Sequence, residues 1–115
     1  MLSNDKMIDN TLKSQAFKLK GRLYTFTVLQ LTTDDMSALT QQLQEVMAKA
    51  PKLLQGSPIV LDFSQLNVSV DFVTILQTLR EFSLVPVAIQ GGDEALIEAA
   101  QSLGLPALHG SSSHD

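Results

Sequence analysis

Phe17-Lys-Leu-Lys-Gly-Arg-Leu-Tyr-Thr-Phe-Thr-Val28 decides how this chain is read, because its apolar residues change phase half-way along. Phe17 and Leu19 hold odd positions, whereas Tyr24, Phe26 and Val28 hold even ones. In one continuous strand that change would send part of the set to the wrong face, since strand side chains alternate with a period of two. A β-hairpin with Gly21-Arg22 as its two-residue turn restores the pattern, because glycine at the first central position supplies the positive φ of a type II′ turn. Phe17, Leu19, Tyr24, Phe26 and Val28 then share one face, and Lys18, Lys20, Leu23, Thr25 and Thr27 the other. The stretch predicts a hairpin with a core side and a cationic solvent side.

Downstream of Leu31, helical and extended patterns alternate. Thr32-Thr33-Asp34-Asp35 reads as a helix start, with a Thr cap and acids at the positive end of the helix dipole. Met36, Leu39, Leu43, Val46, Met47 and Ala50 follow at three- and four-residue spacing, and Pro51 forbids continuation. Leu53 and Leu54 anchor a loop. Ile59-Val-Leu-Asp-Phe63 is a nearly continuous apolar run after Gly56 and Pro58, as expected of a central strand. Asp71 or Ser69 caps a second helix with Phe72, Val73, Leu76, Leu79 and Phe82 inward and Ile75 partly so. Leu84–Ile89 is the next strand, whose Pro86 points to an end or edge position. Gly91-Gly92 turns the chain and Asp93 caps a third helix, with Leu96, Ile97, Ala100 and Leu103 inward and Gly104 closing it. Leu105–Leu108 reads as a last short extended piece. The expected fold is α/β: a small mixed sheet opening with a β-hairpin, then alternating helices and strands, in a STAS-like order. Residues 1–14 form a polar N-terminal arm, 15–108 the folded domain and 109–115 a linker-like tail.

The 115 residues suffice for one domain, and 44% hydrophobic against 17% charged content suits a packed core. No cysteine is present, which removes disulfides and thiolate metal sites. There is no apolar run of transmembrane length and no secretory signal at the start, so a cytoplasmic location is expected. The net charge of −4 conceals an asymmetry: residues 1–22 carry five cations against two acids, and residues 23–115 three cations against ten acids. The bulk of the domain would repel a nucleic-acid backbone. The cationic face has two readings at this level. Either edge-strand cations keep a sheet edge soluble, or they bind an acidic partner.

Residues able to carry chemistry are sparse. His109 and His114 lie in or beside the tail without a carboxylate at triad-like or metal-like spacing. Gly91-Gly92-Asp93 lacks the lysine and hydroxyl of a phosphate loop and reads as a turn and a cap. Asp62 is the one acid inside an apolar run; without a second base nearby it is expected to tie down the following turn. No catalytic residue, cofactor or metal site is expected.

The ordered pieces resemble the N-terminal domain of the MinC septum-site-determining family. The resemblance runs from the Phe17–Phe26 hairpin through Ala48-Lys-Ala-Pro51-Lys-Leu-Leu, Ser57-Pro-Ile-Val-Leu-Asp62 and Val87-Ala-Ile-Gln-Gly91 to Ile97-Glu-Ala-Ala-Gln-Ser-Leu-Gly-Leu-Pro106, about residues 15–110. It implies a non-enzymatic inhibitor of cell division that acts on FtsZ, the tubulin-like division protein, and antagonises its polymers. It also implies that Lys20 and Gly21 lie in the region used against FtsZ. The face pattern extends that candidate patch to Lys18 and Arg22. The family pairs this domain with a C-terminal β-helical domain that dimerises and binds the membrane ATPase MinD. The present chain does not carry that domain, so MinD binding, recruitment to the inner membrane and stable dimerisation are not expected of these residues, nor is direct membrane contact. Pairing of hairpin edges leaves a homodimer open. A STAS-type anti-sigma-factor antagonist is the alternative resemblance, on Ile59-Val-Leu-Asp-Phe-Ser64. The phosphorylation motif of that class, however, reads Asn67-Val-Ser-Val-Asp-Phe72 here, without its glycine and with Ser69 out of context.

Overall fold

A computed structural model describes residues 16–66 and 69–109. Strand β1 (Thr27–Gln30) leads to helix α1 (Met36–Lys49), a 3-10 turn (Pro51–Leu53) and strand β2 (Pro58–Asp62). Helix α2 (Phe72–Glu81), strand β3 (Val85–Gln90), helix α3 (Glu94–Ser102) and strand β4 (Ala107–Leu108) follow. The strands lie in the order β1-β2-β3-β4, every neighbouring pair parallel. Right-handed crossovers taken always in the same direction place successive helices on one side of a sheet. Leu43 of α1, Ile75 and Leu79 of α2 and Ala100 of α3 accordingly share one apolar cluster with Ile59, Leu61 and Ile89.

Among the described residues the sheet is therefore parallel, not mixed, and the expected hairpin is not formed. Residues 16–26 belong to no strand, and Gly21 does not adopt a positive φ, so the II′ turn is absent as well. The physical reason lies in which parity reaches the core. Leu29 and Leu31 pack against the apolar cluster, while Val28 points away and is 52% exposed. The even-numbered set Tyr24, Phe26 and Val28 stays exposed, although Val60 and Ala88 at the level of Val28 are buried, and an isolated two-stranded ribbon is marginal in water. The α/β class and the alternation of helices with strands are as expected; the likeness to STAS domains is not established by them.

Local determinants explain the other elements and several shifts of detail. Asp35, not a threonine, caps α1, accepting from the Ser37 and Ala38 amides at 2.9 and 3.3 Å. Thr33 Oγ1 in turn accepts from the Asp35 amide. Of the two loop leucines only Leu54 is buried. Asp71 caps α2, whose inner face is Phe72, Ile75, Leu76 and Leu79, and Val73 is turned out at 47% exposure. Pro86 is the second residue of β3, at the end of the strand that β4 does not reach, since β4 pairs only with Ile89 and Gln90; this is the end position expected for it. Directly after it the β2–β3 register slips: Pro86 stands opposite Ile59 and Ala88 opposite Val60, with Val87 between them. Asp93 caps α3 as expected, but Leu103 at its end is exposed.

Candidate functional site

Lys18, Lys20, Gly21 and Arg22 lie together on the extended, irregular segment that precedes β1, and all four are exposed. They are not displayed on one face of a ribbon. Instead they are interleaved with Phe17, Leu19, Leu23, Tyr24 and Phe26, all of which stand in solvent, Leu19 at 88% exposure. Large exposed apolar side chains are otherwise scattered: Leu53, Val73, Val85, Leu103 and Leu108 lie on different elements. Contiguous exposed apolar surface marks an interaction site far more often than scattered surface does. The segment is both cationic and apolar, and no acid occurs between Ala16 and Thr33. Gly21 has nothing within 4 Å of the position a Cβ would take, so glycine there is not demanded by packing.

The carboxyl end of the sheet carries a second set of polar groups. Gln30, Asp62 and Gln90 stand side by side at one register level on β1, β2 and β3. Asp62 is 7% exposed and accepts from Gln30 Nε2 at 3.0 Å and from the Ser64 amide at 2.9 Å. Burial pushes its carboxyl up, but the Ser64 amide and hydroxyl and the Gln30 amide outweigh that and hold it below the usual carboxylate range. A carboxylate so stabilised is a poor proton acceptor, and its bond to the Ser64 amide ties down the turn after β2.

A groove of about 640 Å³ opens between the first turns of α2 and α3, floored by Phe63, Leu66, Val70, Phe72, Leu96 and Ala99. The two carboxylates at its rim are already engaged. Asp71 accepts from the Thr74 amide and hydroxyl at 3.2 and 2.7 Å, and Asp93 from the Leu96 amide at 2.8 Å. The Thr74 hydroxyl and amide hold the Asp71 carboxyl below its ordinary value. Among the described residues no three His, Cys, Asp or Glu side chains are grouped so as to hold a metal ion. Asn67 and Val68 of the alternative phosphorylation motif lie outside the described residues, and Ser69 is exposed. No helix of the described residues is long and apolar enough to cross a membrane.

Sequence reasoning located the cationic residues but not the groove or the true strand parity. The signal for parity was present in Leu29 and Leu31, which continue an odd-numbered apolar row into the core.

Residues 17–86 match the family described as "Septum formation inhibitor MinC, N-terminal domain". The chain is 36% identical over 99 residues to the probable septum site-determining protein MinC of Pseudoalteromonas translucida, covering 85% of this chain and 42% of the relative. It is 32% identical over 98 residues to the protein of the same name in Shewanella amazonensis, covering 84% of this chain and 44% of that one. For the Pseudomonas aeruginosa counterpart the identity is 35% over 95 residues, 80% of this chain and 36% of the relative. The chain thus spans about two-fifths of the length of these relatives.

Proposed function

The chain belongs to the family of MinC septum formation inhibitor N-terminal domains, and from that premise we propose that it inhibits cell division by binding FtsZ and antagonising its polymers. The observation that carries this reading is the exposed segment 17–26, where cations and large apolar side chains alternate without an acid among them. Lys18, Lys20 and Arg22 supply the charge that meets an acidic partner surface, which chiefly sets encounter rate and orientation. Phe17, Leu19, Leu23 and Tyr24 supply the apolar area that is desolvated on contact. Gly21 gives the backbone freedom to bend between the two halves. No nucleophile, base or metal cluster enters this scheme; the action is by binding. In the longer relatives, MinD contact and recruitment to the inner membrane would belong to sequence that this chain does not span.

The test is co-sedimentation of FtsZ assembled with GTP. Saturating chain should lower the sedimented FtsZ, and Lys20→Glu or Gly21→Asp should remove the effect while leaving the thermal midpoint in place. Unchanged FtsZ assembly at saturating wild-type chain would refute the proposal.

A further inference from the structure

We propose that the outer edge of β1, together with the unpaired segment 17–25 leading into it, binds an extended acidic segment of the partner as an added strand. This rests on the FtsZ reading for the partner's identity and adds how that partner is held.

The geometry of β1 supplies the template. The Leu31 amide donates to the Asp62 carbonyl at 2.9 Å, on the β2 side. Amides alternate in direction along a strand, so Leu29 also faces β2, whereas the N–H and C=O groups of Val28 and Gln30 face away from it. Among the described strands β1 has a neighbour on one side only. Residues 17–25 form no backbone hydrogen bond among the described residues, yet Tyr24-Thr-Phe-Thr-Val28 are strand-forming types. An unpaired edge of that composition is a ready site for another strand.

Charge selects the occupant. Lys18, Lys20 and Arg22 with no compensating acid call for carboxylates on the added strand, and Tyr24, Phe26 and Val28, which follow them at the same alternate positions, call for apolar side chains further along it. A second copy of this chain would bring an equally cationic segment, and like charges placed opposite each other destabilise a strand pair. The ordering of 17–25 on binding makes the contact modest in strength and sensitive to salt.

Two soluble ten-residue peptides test this against the whole chain, one alternating Val and Asp, the other Val and Lys. The acidic peptide should slow hydrogen exchange at the Val28 and Gln30 amides, and raising salt from about 0.1 to 0.5 M should weaken it several-fold. Val28→Pro removes an outward donor without touching the β1–β2 ladder and should weaken the peptide about tenfold, the equivalent of one hydrogen bond. If that variant fails to fold, the exchange measurement on the wild-type chain decides. Equal binding of the Val/Lys peptide, or unchanged exchange at saturation, overturns the proposal. So does protection of the same amides by self-association, or by phosphatidylserine vesicles in place of peptide. FtsZ sedimentation run in parallel separates the two readings. Val28→Pro acting on FtsZ as well as wild type overturns strand addition alone, whereas an acidic peptide that binds while FtsZ is unaffected overturns the FtsZ identity alone.

Discussion

Gln30 Nε2 donates to Asp62 Oδ2 at 3.0 Å, fastening the edge strand β1 to the central strand β2 through the only buried charged side chain among the described residues. Burial disfavours the charge on Asp62, and the Ser64 and Gln30 donors more than offset it. A carboxyl depressed on folding adds stability that is fully present above its unfolded pKa, about 3.9, and is lost as pH falls through the lower folded value. Asp62→Ala should therefore cost about 2 kcal/mol at neutral pH and show a shallower loss of stability below about pH 4. Urea denaturation across that range checks both, and identical slopes for variant and wild type would remove this role. Gln30→Ala should cost less, and the two changes should be non-additive by about 1 kcal/mol.

Gly91 and Gly21 should respond oppositely to the same substitution. Gly91 has φ +74 and a Cβ there would meet the Ser64 amide nitrogen at 2.9 Å, a backbone atom that cannot swing aside. Gly91→Ala is expected to destabilise by about 2 kcal/mol or more. Gly21 has no such φ and open space around it, so Gly21→Ala should leave the thermal midpoint unchanged within the shift expected of about 0.5 kcal/mol. A large loss at Gly21 would indicate a turn that demands glycine.

Ser83 lies between α2 and β3 with φ 64, the one described non-glycine residue in the left-handed region. Ser83→Gly relieves that conformation and should stabilise the domain by roughly 0.5–1 kcal/mol after the entropy cost of glycine in the unfolded chain. Thermal denaturation by circular dichroism reads the sign directly.

Apolar residues should also divide sharply by position. Leu61→Ala, in the centre of β2, is expected to cost about 3 kcal/mol, because its side chain is fully enclosed by the helices and neighbouring strands. Leu19→Ser and Leu23→Ser should be close to neutral in stability. On the proposed function they should nonetheless weaken the effect on FtsZ, which separates folding from binding in one experiment.

Much of the sheet and all three helices were legible because each has a local cause: Asp93 ahead of a helix, Pro51 behind one, the apolar run Ile59–Phe63 between turns. Segment 17–28 was not, because its change of phase points locally to a hairpin, whereas only its last two residues enter an edge strand. What decided between them was the distant match of Thr27–Gln30 with Ile59–Asp62, which no local rule contains. Pro86 marked the end of its strand correctly, but the irregularity at Val87 directly after it has no local signal. Charge counting singles out the cationic residues, but their setting depends on that same distant pairing.

The sequential strand order has one more consequence. β1 and β4 occupy the two outer positions of a four-stranded parallel sheet, so the chain enters at one margin and leaves at the other. Three strand spacings separate those margins by about 14 Å, and the parallel direction adds the strand length, so Thr27 and Leu108 stand at diagonally opposed corners. Lys18, Lys20 and Arg22 belong to the segment that leads into the Thr27 corner. On the proposed function, target binding and the exit of the chain from the sheet are assigned to different margins.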